Sequence, residues 1–147
     1  MSTGAMTSLS VVAIPVFLDT TTHASQLYHE WARMYHYGHQ ILPGLAITTL
    51  MLYSYAALRN RAKKRPWAAY ALAGVVTVSM IPFTWIFMVA TNDTLFRLEA
   101  EGATSVAEGI EKAQELVKLW GWLHLARCLF PLAGAVLGLT TTFHDRQ

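Results

Sequence analysis

The chain has 147 residues, of which 54% are hydrophobic and only 14% charged, whereas soluble domains carry about 25% charged residues. A formal net charge of +2, with five of the eleven Lys and Arg gathered in one short run, excludes a nucleic-acid-binding surface, and a lone Cys128 inside an apolar stretch excludes a disulfide framework. With a mean hydropathy of +0.33 and long uncharged runs, the expected class is all-α. The chain reads as a single integral membrane domain over 1–147, a four-helix bundle.

The first apolar run, about 2–18, contains Pro15 and no Lys or Arg. A signal peptide would want a positive start, so a first membrane helix is expected there. Residues 20–25 read as a loop and 26–36 as a short helix leading into a second span at about 37–58. His36 and His39 stand three apart at its start, and Pro43–Gly44 would bend the helix just beyond them. A third span, about 67–90, has no charged residue at all, and a fourth, about 120–143, carries only His124 and Arg127 as ionisable groups apart from Cys128. Each is long enough for the roughly 20 residues that a crossing helix needs. Tyr35, Tyr37, Trp67, Trp120 and Trp122 lie near the ends, where interfacial aromatics belong.

Between the second and third spans, residues 59–65 hold five positive charges and no negative one. By the positive-inside rule this loop and both termini are expected in the cytoplasm. The connection 91–119 falls on the opposite side. Within it Ser105 and Glu108 fit a capping box, and Val106, Ile110, Ala113, Leu116 and Val117 recur at helical spacing. An amphipathic helix over about 105–118 is expected, lying on the bundle or the membrane surface.

Ionisable side chains are costly in hydrocarbon and usually face a partner, a cavity or a substrate. His124 and Arg127 share one face of the fourth helix, and a neutral imidazole at His124 could act as a base. Asn92 and Asp93 end the third span on the side where the fourth begins, so Asn92 and His124 would meet at similar depth. Asp93 could instead cap a helix or pair with Arg127. Trp31, Tyr35, His36, His39, Thr91 and Trp120 converge on the same end, which describes an aromatic-walled pocket for a flat, phenolic ligand. No dinucleotide-type glycine loop, P-loop or nucleophile elbow is present. The histidines carry no nearby carboxylate at ligand spacing, so no metal site is expected, although two opposed imidazoles could hold a haem.

Several of these residues together resemble a known family. Ser8 to Pro15, Trp31 with Tyr35–Gly38 and Pro43, Pro82-Phe83-Thr84, Thr91-Asn92 with Leu95, and Trp120, His124 and Arg127 ahead of Leu132-Ala133-Gly134 are similar to the anthrone oxygenases. The resemblance spans nearly the whole chain. That family usually has more apolar residues before the Gly-Ala that stands here as Gly4–Ala5, so this chain is expected to be a shortened form. The resemblance implies oxidation of a polyketide anthrone to an anthraquinone by O2 as co-substrate, with no metal or flavin. It implies a small aromatic substrate and a lipid environment, with homo-oligomers an open possibility. His124 is expected as base, with His39 in reserve. Arg127 and Asn92 would stabilise the enolate and peroxide. Trp120 would stack on the rings, among Tyr35, Trp31, Asp93, His36 and Thr91 as substrate-binding residues. The alternatives are a haem-binding four-helix membrane protein, or a non-catalytic protein that binds a membrane partner or lipid through 106–117.

Overall fold

A computed structural model describes residues 2–65, 67–101 and 109–144. Among the described residues there is no strand. Four helices account for nearly all of them: α1 over 2–20, α2 over Ala24–Ala62, α3 over Ala68–Glu101 and α4 over Ile110–His144. α2, α3 and α4 are each long and apolar enough to cross a membrane. The apolar part of α1, Gly4–Thr20, is shorter than a crossing helix. At 1.5 Å per residue it spans about 26 Å, less than a hydrocarbon core of about 30 Å, so the first expected span is the short one of the four helices.

Two expectations are revised. The segment 91–101 is not a loop, because α3 continues to Glu101. Asn92, Leu95 and Leu98 recur on one face of that extension and are buried, while Asp93 and Arg97 face outward. The expected capping box at 105–108 lies outside the described residues. From Ile110 onward, what was expected to be a separate amphipathic helix is the first part of α4, which runs unbroken to His144. Its apolar stripe is already covered within the chain: Ala113, Val117 and Trp120 pack with Leu27, Tyr28, Trp31, Leu95 and Leu98. That leaves little of the stripe for an outside partner.

The core therefore sits at the end of the bundle away from the basic turn. α2 has 39 residues, about 58 Å at the helical rise, so it must project well beyond a bilayer on one side. The projecting end is held by burial of apolar side chains, as in water. The other half shows the reverse pattern, with Leu52, Leu58, Val75 and Leu139 exposed, as lipid-facing residues should be. There the helices meet through small residues. A Cβ on Gly134 would sit 2.8 Å from Ala73 O and run into Thr77 Oγ1, and one on Gly138 would lie 2.7 Å from the Tyr53 ring. Tyr53 closes this contact by donating from its hydroxyl to Gly134 O at 2.9 Å. Glycine at such crossings lets backbones approach where no hydrophobic drive operates. Near the basic turn the Tyr70 and Thr142 hydroxyls bond at 3.3 Å, which sets the end of α4 beside the start of α3.

Candidate active site

Two helices depart from α geometry, and both departures carry a hydroxyl to the site. In α1 the stretch Leu9–Ala13 is π-helical, with the Ile14 N–H reaching back to Leu9 O. Pro15 follows it and has no N–H to continue the ordinary ladder. In α3 the stretch Thr84–Met88 is π-helical, just after Pro82. π-Bulges of this kind recur at functional sites because they re-aim side chains without ending the helix. Ser10, in the first bulge, bonds through Oγ to His124 Nδ1 at 3.0 Å. Thr84, opening the second, accepts from Arg127 Nη1 at 3.2 Å.

α4 supplies the centre. Trp120, His124 and Arg127 fall on one face, and the Trp120 and His124 rings stack at 4.7 Å and 26°. The Trp120 indole N–H donates to Asn92 Oδ1 at 2.9 Å, so α3 and α4 are tied at this level. Trp31 packs edge-on against Trp120 at 5.8 Å, and Tyr35 continues the aromatic chain to His39. His124 is buried, and Cys128 one turn on donates its thiol to His124 O at 3.1 Å.

These groups surround a cavity of about 440 Å³, inside the range of small-molecule sites, about 300–1,000 Å³. Met6 and Leu9 of α1, Met34, Leu42 and Ala46 of α2, and Val78 and Val89 of α3 make its walls largely apolar. His124, Arg127, Asn92, Trp120, Tyr35 and His39 all line it. Arg127 holds a buried Nε with no hydrogen-bond partner.

Four expected residues lie elsewhere. Trp31 is fully buried in the core behind the cavity, packed among Tyr35, Phe96 and Trp120. His36 is exposed and bonds Gln40 at 3.0 Å, outside the lining because it is three residues from His39 at the outward end of α2. Asp93 and Thr91 flank the buried Asn92, each a helical step of about 100° away, and neither lines the cavity. Asp93 therefore does not pair with Arg127. Among the described residues the ion pair found is His29 with Glu99 at 3.2 Å, on the projecting end. Trp120 does line the cavity, but it is 2% exposed and one ring face is taken by His124. Its geometry suits positioning His124 and Asn92 rather than stacking on a ligand. Sequence reasoning missed Ser10 as a partner of His124 and Thr84 as a partner of Arg127. The available signal was a hydroxyl in an apolar helix a few residues from a proline.

Comparison with known proteins identifies the family. A sequence profile for the anthrone oxygenases matches residues 31–137, which carry the cavity walls supplied by α2, α3 and α4. An anthrone oxygenase of Paecilomyces divaricatus is 59% identical over 140 residues, covering 92% of this chain and 84% of that protein. Another, from Cryptosporiopsis sp., is 47% identical over all of this chain and 82% of its own length. A noranthrone monooxygenase of Aspergillus flavus is 44% identical over 93% of this chain and 66% of its own. No solved structure matches the chain. Similarity of this extent, laid over a cavity with an imidazole and a guanidinium, makes the chain an oxygenase that belongs to the anthrone oxygenase family.

Proposed function

We propose that the enzyme converts a polyketide anthrone to the anthraquinone with O2, using its own side chains and no resident cofactor. The observation that carries this is the pairing of His124 and Arg127 on successive turns of α4, facing an otherwise apolar, aromatic-edged cavity. The methylene opposite the anthrone carbonyl is acidic because losing a proton makes the central ring aromatic. His124 Nδ1 is engaged by Ser10, so Nε2 takes that proton. Arg127 and the Asn92 amide, whose Oδ1 is already held by Trp120, stabilise the oxyanion. The electron-rich anthrolate passes one electron to O2, giving an organic radical and superoxide. Their recombination forms the C–O bond, and the proton held on His124 goes to the peroxide. His124 then removes the remaining methine proton as the O–O bond breaks, releasing water and leaving the quinone carbonyl. One O2 is consumed, with one oxygen atom in the quinone and one in water.

Preorganised donors in a largely apolar site are worth far more than in solution, and the lining of this cavity provides such surroundings. We place the basic turn and the end of α4 on the cytoplasmic side by the positive-inside rule. The cavity then lies toward the opposite interface. Supplying a polyhydroxylated anthrone under 18O2 to the reconstituted enzyme is expected to give quinone carrying a single 18O atom above the spontaneous background. Unlabelled quinone, or none above background, would refute the reaction.

Ser10 is a positioning residue in this scheme. Losing one neutral hydrogen bond of about 0.5–1.5 kcal/mol predicts that Ser10→Ala lowers kcat by about threefold to tenfold at unchanged KM. Restoration by Ser10→Thr, read from steady-state rates, separates positioning from a general packing defect.

A further inference from the structure

The cavity walls differ in exposure. On α1 and α4 the lining is closed: Met6 and Trp120 are 2% exposed and His124 1%. On α2 and α3 it is open: Ile47 is 55% exposed, Ile81 40% and Trp85 72%. The cavity's mouth therefore lies between α2 and α3. The helix paths agree. The α2 backbone approaches α3 along Ala68–Val78 and again along Val89–Glu101, but no Cα of the intervening residues 80–88 comes within 8 Å of an α2 Cα. That gap holds Pro82 and the π-bulge Thr84–Met88 on one side and faces the proline-bearing stretch of α2, which includes Pro43, on the other. Each proline removes a ladder hydrogen bond, a common cause of helix bending, at the level where the two backbones stand apart.

The surface around the gap is apolar, as hydrocarbon contact requires. Below it, toward the basic turn, a second hollow continues along the same pair of helices and shares Leu50 and Val78 with the first. We propose that this gap is a side window through which the substrate passes between the bilayer interior and the cavity, without crossing the water-exposed end. This rests on the function proposed above and names its route: a flat apolar polycycle that dissolves in lipid. The projecting end of the bundle is filled by its own core, which includes Leu27, Trp31 and Val117.

The test is exchange of a fluorescent hydroxyanthraquinone, read by its own emission in stopped flow with the protein in vesicles. Ile47 and Ile81 are rim residues without a part in the chemistry. Filling the window with Ile47→Trp and Ile81→Trp together is expected to slow association and release alike by about tenfold, leaving Kd within about twofold, because a gate alters both rates and not the equilibrium. Trp85→Ala, which clears the rim, is expected to speed both by about threefold. Leu139→Trp, on the exposed face of α4, is the control and should change neither. Exchange rates in both rim variants within about twofold of wild type, or a Kd that moves without matching rates, would overturn the window. Quinone binding without oxidation of an anthrone would sink the reaction and leave the window standing. Oxidation with unchanged exchange in the rim variants would do the reverse.

Discussion

His124→Gln is expected to lower quinone formation by about 10²–10⁴-fold, the usual worth of a positioned general base. Glutamine is the informative replacement because its amide can still reach Ser10 Oγ, which now sits 3.0 Å from Nδ1, and can still pack on Trp120. A proton acceptor is what disappears. The loss should fall on kcat, since the imidazole acts on the methylene proton and contributes little to holding the rings. Rates are to be measured after correction for spontaneous oxidation, on protein whose melting temperature matches wild type. His39 lines the cavity too, but it is exposed on α2 and stacked on Tyr35. His39→Gln should cost far less. Full activity in His124→Gln with loss in His39→Gln would reassign the base.

Arg127→Gln should cost about 10²–10³-fold in kcat/KM, the range for removing one oxyanion donor. The side chain is fixed by Thr84 at 3.2 Å and keeps a buried, unpartnered Nε. A buried donor without a partner is unfavourable in the resting enzyme. An anionic ligand beside the guanidinium gains from its charge only when bound. The prediction is therefore graded: anthrolate formation suffers most, and binding of the neutral quinone least. Arg127→Lys keeps the charge but not the planar fork, so it should recover only part of the lost rate. If Arg127→Gln loses activity only because the protein unfolds, its melting curve will show it. If it folds and retains wild-type kcat/KM, the oxyanion role is wrong.

Legibility in the sequence followed the range of the interaction. The three long apolar runs were readable because charge-free stretches leave few alternatives in a membrane protein, and His124 with Arg127 was readable because three-residue spacing on a helix puts both on one face. Their meeting with Asn92 followed from topology alone, since α3 and α4 are antiparallel neighbours. Helix ends were read less well. Asp93, Arg97 and Glu101 made the projecting end of α3 look like a connection, but these residues are simply the solvated face of a helix whose other face carries Leu95 and Leu98. Trp31 was misplaced for a related reason: aromatic content says that a residue is near a pocket, and only packing says whether it forms the wall or stands behind it. Ser10 was out of reach because the register between α1 and α4 depends on a π-bulge and on the close seat of Ile14 against Gly121, where an added Cβ would lie 3.4 Å from Ile14.

The most direct measurement is O2 consumption by purified enzyme in lipid, dialysed against a strong chelator and free of flavin and haem absorbance, with a polyhydroxylated anthrone as substrate. The account predicts quinone formed one-for-one with O2 taken up, at a rate unaffected by chelation and lost in His124→Gln. Activity that vanishes on dialysis and returns with a metal, flavin or haem would contradict it.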